Sequence, residues 1–256
     1  TFDKISDSLI HLEGLRLYDN IISPVELLDL FDMLDELYLS RIEEDHLPLK
    51  TLIIAQNNLP SDLNLGILHG LQTLDVRFAK NEVLQSIFDR LVDNRSIKRF
   101  IIRNTSFDRK TIDRLSRMIR SNSSITEYEF DNIEMNQGDA GLITAELGAN
   151  TKIRRLKISN SMNDILHVMT GVPHLKVLLY KNEMGQSVNV VEFFKKLSDY
   201  NSLIHLKFMI NDVIKDPIVI QNVFRDNKSI ISFKFNDQMF PAPTKDLIQS
   251  YLVYNR

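Results

Sequence analysis

The sequence predicts an α/β solenoid: a curved parallel sheet on the concave side, helices on the convex side, and about ten stacked repeats forming a single domain over residues 1–256. Three observations predict it. A six-residue pattern, apolar-x-x-apolar-x-apolar, recurs ten times along the 256 residues. Its spacing is 27–28 residues for most of the second half. An asparagine stands three residues ahead of the pattern at Asn94, Asn122, Asn150 and Asn227. Units of this size cannot bury an apolar face alone and do so by stacking on their neighbours.

The elements follow in order. The units begin at Leu12, Leu34, Leu49, Leu71, Ile97, Ile125, Ile153, Leu175, Leu203 and Ile230. Each reads as a strand, because the last apolar positions alternate with polar ones, as in Leu206-x-Phe208. After the strands the period changes to 3.6, for example Val83, Leu84, Ile87, Phe88, Leu91 and Ile112, Leu115, Met118, Ile119, which predicts one helix per unit. Residues 1–96 hold shorter, irregular repeats, with Leu34-x-x-Leu37-x-Leu39 as the second strand and Leu59–Leu63 as extended or 3₁₀ structure; residues 97–256 hold the long repeats. The Asn before each strand suits a helix-ending turn, since Asn tolerates left-handed dihedrals and bonds nearby backbone. Phe2, Ile5 and Leu9 read as a short amphipathic helix. Pro243-Thr244 opens a final helix with Thr244 as N-cap and Leu247, Ile248, Tyr251 and Leu252 as its apolar face. Neither end reads as a polar cap, so the sequence is read as a fragment with flanking domains in a longer protein.

On these residues the chain resembles a leucine-rich-repeat protein. The 28-residue units are similar to the ribonuclease-inhibitor-like subclass, which includes tropomodulin, the CARMIL actin regulators, RanGAP and NOD-like receptors. The best match runs from Ser124 to Leu156, through Ile133, Gly138-Asp139-Ala140-Gly141, Leu142, Ala145, Leu147 and Asn150. The asparagine that this family places after each strand is clear only at Asn20, Asn57 and Asn211; Ile42, Ala79, Thr105, Ile133, Ser161, Glu183 or Gln238 stand elsewhere, so the ladder is broken. The resemblance implies a solenoid and leaves function open, because one fold hosts many roles.

Composition narrows the classes. The absence of cysteine excludes disulfide scaffolds, Cys-ligated zinc, iron–sulfur clusters and thiol catalysis. A net charge of −3 argues against nucleic-acid binding by bulk charge. No apolar run reaches the roughly 18 residues of a membrane span. His11, His46, His69, His167, His174 and His205 form no metal-ligand pair with a helix-borne carboxylate, and neither a phosphate-cradling glycine loop nor G-x-S-x-G occurs. The expectation is a non-enzyme without metal or cofactor. N-glycosylation sequons stand at Asn94, Asn104, Asn122 and Asn227, three of them in the repeated turn; with no cysteine and no signal-like stretch, the expected compartment is cytoplasmic.

The concave face is the expected working surface, because side chains between the apolar strand positions point outward. The strand at Ile125 presents Glu127, Glu129 and Asp131 between the bases Arg99, Arg103, Arg155 and Lys157, and Arg99–Glu127–Arg155 and Arg103–Asp131 read first as cross-strand ion pairs. Further on, Val177, Leu179 and Met209 face outward beside Lys181, His205, Lys207 and Lys234 with no compensating acid until Asp237. Apolar residues rimmed by base suit an acidic, partly apolar protein segment. Arg77 and Phe78, with Ile53 and Ile101, form a weaker candidate patch. The sequence thus predicts a protein-interaction scaffold binding a protein partner on its concave face. A cytoskeletal or small-GTPase regulator, a regulatory domain attached to an enzyme and a secreted recognition protein are the alternatives.

Overall fold

A computed structural model describes residues 12–18, 23–39, 49–55, 59, 70–161, 168, 171–182, 189–211 and 217–255. The expected helix around Phe2, Ile5 and Leu9, the segment after Leu59, and Asn20 and Asn57 lie outside them. The chain forms two compact units, Thr1–Glu129 and Phe130–Arg256. Among the described residues nine strands follow one another in sequence order within the sheet.

The first unit holds β1 (Gly14–Tyr18), α1 (Pro24–Leu39), β2 (Thr51–Ala55), β3 (Thr73–Arg77), α2 (Asn81–Leu91), β4 (Arg99–Ser106), α3 (Arg109–Ser121) and the first residues of β5 (Glu127–Glu134). β1, β2, β3 and β4 pair in parallel, with Leu15, Leu52, Leu74 and Phe100 in register. That register corrects the expected second strand. Gly14 of β1 lies opposite Thr51 of β2, and Leu34–Leu39 belongs to α1. The reason is local. Leu27, Leu30, Phe31 and Leu34 recur at helical spacing and are buried. Pro24 occupies the first helical position. The Ser23 amide donates to Glu26 Oε2 at 2.9 Å, and the Glu26 amide donates to Ser23 Oγ at 3.3 Å, closing a capping box.

The second unit continues from β5 with α4 (Gln137–Ala149), β6 (Arg155–Ser159), β7 (Val177–Asn182), α5 (Val190–Ser198), β8 (His205–Ile210), α6 (Pro217–Asp226), β9 (Ser232–Phe235), a 3₁₀ turn at Asp237–Met239 and α7 (Ala242–Tyr254). α7 starts earlier than expected, with Pro241 at the N-cap position; Thr244 is buried within the first turn and its hydroxyl accepts from Gln221 Nε2 at 3.3 Å. The helices cover one face of the sheet. Phe193 of α5 stacks on Phe208 of β8 with centroids 4.5 Å apart, Tyr180 of β7 lies 5.3 Å from Phe208, and Phe224 of α6 meets Phe233 of β9 at 4.7 Å. Such contacts add to the area term that dominates core stability. A Cβ on Gly148 would sit 1.5 Å from the Gly171 carbonyl oxygen, so only glycine allows α4 this approach.

The asparagines before the strands act differently from expectation. Asn122 and Asn150 have negative φ, −73° and −84°. The Asn150 side chain accepts from the Lys152 amide within its own turn, and that of Asn122 bonds between successive turns. Asn122 Nδ2 donates to the carbonyls of Leu91 (2.6 Å) and Asn94 (2.9 Å) while Oδ1 accepts from the amides of Ser124 and Ile125. In the second unit Asn227 repeats this toward Leu197 and Tyr200, and Asn255 toward Asn227 and Ile230. Among the described residues the left-handed non-glycine positions are Phe78, Asn104, Asn132 and Asn160, with φ between 47° and 54°. At two of the positions where the family's asparagine is missing after the strand, Thr105 and Ser161, a hydroxyl makes the backbone bonds. Thr105 Oγ1 donates to the Ala79 carbonyl at 2.9 Å, and Ser161 Oγ accepts from the Ile133 amide at 2.9 Å and donates to the Ser159 carbonyl at 2.8 Å.

Candidate functional site

The sheet face opposite the helices differs between the two units. In the first unit it is closed by its own charges. Asp75 accepts from Arg77 Nε at 3.1 Å and Nη2 at 2.7 Å. Arg103 lies 3.4 Å from Asp75 and 2.6 Å from Glu129. Arg99 reaches Glu127 at 3.1 Å and Glu129 at 2.9 Å. The expected Arg99–Glu127 pair is present, and the longer reach to Glu129 was not expected. Glu129 is completely buried under the two guanidiniums, and Asp75 is 2% exposed. Ile53 and Ile101, on the same outward row, are also buried. Arginine stems cover apolar surface while their heads pair, so this face offers little unsatisfied chemistry.

That network includes Arg77, one of the candidate binding residues. Phe78, next in sequence, is 48% exposed and holds φ at 52°. An L-residue in that region costs about 1–2 kcal/mol, and a bulky one is an outlier there. Its amide donates to the Arg103 carbonyl at 3.0 Å. The equivalent positions are Asn104 within β4, Asn132 within β5 and Asn160 just after β6.

In the second unit the face remains open. Alternation on β7 buries Leu178, Tyr180 and Asn182 and turns Val177, Leu179 and Lys181 outward. On β8 it buries Leu206, Phe208 and Ile210 and turns His205, Lys207 and Met209 outward. Lys234 does the same on β9. Pairing then sets three rows across the strands. The first is Arg155, Val177, His205 and Ser232; the second Lys157, Leu179, Lys207 and Lys234; the third Ser159, Lys181 and Met209. The sequence-predicted residues of this unit therefore share one surface, around a depression of about 460 Å³ lined by Arg155, Val177, Leu179, His205, Lys207 and Lys234. Arg155, first read as an ion-pair partner within the sheet, also lines it.

Strands β6 to β9 carry Arg155, Lys157, Lys181, Lys207 and Lys234 and no Asp or Glu. The whole chain is net negative at −3, so the concentration of base is local. Among the described residues no ion pair or hydrogen bond engages the side chains of His205, Lys207 or Lys234. Lys207 and Lys234 are in register on adjacent strands, an arrangement that repels. A lysine on an outer strand discourages edge pairing, which accounts for Lys234 but not for Lys207 on the strand inside it.

Other chemistry is sparse. Among the described residues no group of three His, Asp or Glu side chains is placed to hold a metal. No described helix is long and apolar enough to cross a membrane. His174 sits in the turn before β7; burial chiefly, and Arg154 nearby, hold its imidazole below the usual histidine range against a hydrogen bond with the Asn150 backbone. On the outer surfaces of α2 and α3, Asp89 pairs with both Arg114 and Arg117.

Among solved structures the chain is similar to the leucine-rich-repeat-containing protein LegL7 from Legionella pneumophila, with 14% identity and a TM-score of 0.55 over 94% of this chain and 89% of that one. It is also similar to the tropomodulin C-terminal domain from Caenorhabditis elegans (9% identity, TM-score 0.34, 73% of this chain and 85% of that one). A third similarity is to the leiomodin-1 actin-binding site 2 (15% identity, TM-score 0.35, 66% and 86%). No family model matches the chain, and no curated protein does. The likeness to the Legionella protein shows the fold, which is a leucine-rich-repeat fold.

Proposed function

We propose that this leucine-rich-repeat chain is a non-catalytic protein-interaction module whose open face on β6–β9 docks an acidic, partly apolar segment of a protein partner. The observation that carries the reading is Lys207 and Lys234, in register on adjacent strands beside His205 and engaged by no ion pair or hydrogen bond among the described residues, next to the outward Val177, Leu179 and Met209. A free surface selected only for stability would intersperse charges of both signs. The mechanism is presentation of a preformed surface. The strands are held by the core beneath them, so little ordering cost opposes association, and the basic field speeds encounter with an acidic partner. Methionine at the rim adapts its shape to the partner.

The cytoplasm is the compartment we favour. Three sequon asparagines, Asn94, Asn122 and Asn227, are buried, and the last two spend both amide hydrogens on turn carbonyls. That leaves them no role as glycan acceptors in the folded chain.

The test is affinity capture from a lysate of the source cells, read by mass spectrometry, with wild type against the triple variant Leu179→Glu, Lys207→Glu, Met209→Glu. All three side chains face outward, so circular dichroism and thermal melting should match wild type. Loss of a captured protein from the variant supports the reading. Capture of the same proteins by both forms sinks it.

A further inference from the structure

Resting on that reading, we infer that the segment docked on β6–β9 is an acidic amphipathic α-helix lying across the strands, with an apolar residue at i over Leu179 and acidic residues at i+4 and i+7 over Lys207 and Lys234. Leu179, Lys207 and Lys234 occupy consecutive strands at one register. Neighbouring strands lie about 4.8 Å apart, and an α-helix repeats along its face every 5.4 Å. Two strand steps therefore cover about 9.6 Å against about 10.8 Å for two helical turns, a mismatch of about 1 Å that lysine side chains absorb. An extended segment presents one face every two residues, about 6.8 Å, and falls out of step with the strands after one contact.

The flanking rows fit the width of a helix. Val177 and His205 lie on one side of the central row, Lys181 and Met209 on the other. Rows two residues apart on a strand are separated by about 6.8 Å, so three rows span about 14 Å, against a helix diameter of 10–12 Å. The apolar seat is Leu179 with Val177 beside it on β7 and Met209 on β8. The chemistry also separates protein from other polyanions. The aromatic residues of β7–β9 that are buried, Tyr180, Phe208 and Phe233, point into the core. Apart from the His205 imidazole, no aromatic side chain stands at the outward positions of β7 and β8 or at Ser232 and Lys234, so the face lacks the row of successive stacking platforms on which a strand of bases binds. Its apolar part, Leu179 with Val177 and Met209, is aliphatic, which suits the apolar stripe of a helix.

The experiment uses the whole chain of 256 residues and synthetic 18-residue peptides read by fluorescence anisotropy. One peptide carries Leu at i and Glu at i+4 and i+7, hydrocarbon-stapled on its far side. A second has the same composition and staple with Leu and Glu shuffled. A third replaces the staple with two central prolines. A single-stranded oligonucleotide and phosphatidylserine vesicles serve as the other polyanions. The expected result is that the first peptide binds about tenfold tighter than the second and third. Lys207→Glu with Lys234→Glu should abolish the difference, and a peptide with Lys at i+4 and i+7 should restore it. Rescue by the charge swap shows that the variant is folded. Equal binding of the shuffled helix, equal binding of the proline peptide, or tighter binding of the oligonucleotide or vesicles overturns the inference. If no peptide binds while the lysate experiment yields a partner lost in the triple variant, the helix fails and the docking face stands; if neither gives a partner, both fail.

Discussion

Replacing Asn122 with alanine should cost the first unit about 2–4 kcal/mol. Asn122 is 1% exposed. Its Nδ2 donates to two backbone carbonyls, Leu91 at 2.6 Å and Asn94 at 2.9 Å. Its Oδ1 accepts from two backbone amides, Ser124 at 2.8 Å and Ile125 at 2.9 Å. The Ser124 hydroxyl also reaches it, but keeps the carbonyls of Asn94 and Ile97 as partners when Asn122 is gone. Four hydrogen bonds are therefore lost: the Ser124 and Ile125 amides lose their acceptor, while the Asn94 carbonyl keeps the Ser124 hydroxyl and the Leu91 carbonyl keeps the Asn94 amide. At about 1 kcal/mol net each the loss is about 4 kcal/mol; a water entering the space left by the amide halves it to about 2 kcal/mol. Either figure is a large share of the 5–15 kcal/mol typical of a domain. The assay is urea unfolding followed by circular dichroism, together with hydrogen exchange at the Ser124 and Ile125 amides. Ser123→Ala, on the exposed side of the same turn, is the control and should stay within about 0.5 kcal/mol. A loss below about 1 kcal/mol with both amides still protected would refute the claim that this side chain knits the turns together.

Further predictions follow from the same geometry. Glu129→Gln leaves Arg99 and Arg103 facing a neutral group in a buried position; removal of one partner of a buried pair costs about 3–5 kcal/mol, and since Arg99 is 42% exposed and can rehydrate, about 3 kcal/mol is expected in urea unfolding. Gly148→Ala drives a methyl group into the Gly171 carbonyl, so the second unit should lose about 3 kcal/mol, seen as a lower midpoint for the near-ultraviolet signal of its tyrosines. His174 has a depressed folded-state pKa, so its contribution is complete above the unfolded value of about 6.5 and is lost as the pH falls below it. The melting temperature of wild type should therefore drop more steeply from pH 7 to pH 5 than that of His174→Gln; parallel slopes would contradict the assignment.

Two further signals are legible in the sequence. Leu34-x-x-Leu37-x-Leu39 has the strand spacing, yet Leu27, Leu30, Phe31 and Leu34 fit the helical period, and Ser23-Pro24-Val25-Glu26 is a capping box. The longer periodic run with its own cap prevailed, since a capped helix burying four large side chains outweighs a six-residue match. Asn104, Asn132 and Asn160 recur every 28 residues and mark a left-handed residue in β4, in β5 and just after β6, a periodicity as legible as that of Asn94, Asn122 and Asn150.

What the sequence determined by itself is periodic. Alternation within strands, helical spacing between them and the 28-residue recurrence are local constraints, and they suffice for the α/β repeat architecture and for which side chains of β7, β8 and β9 turn outward. Only the tertiary structure decided which outward residues are free. Glu129 and Lys207 occupy the same kind of outward position, yet one is sealed beneath Arg99 and Arg103 and the other stands exposed. That difference depends on how far long side chains reach across neighbouring strands, and such reach is a property of packed neighbours, which sequence spacing does not encode.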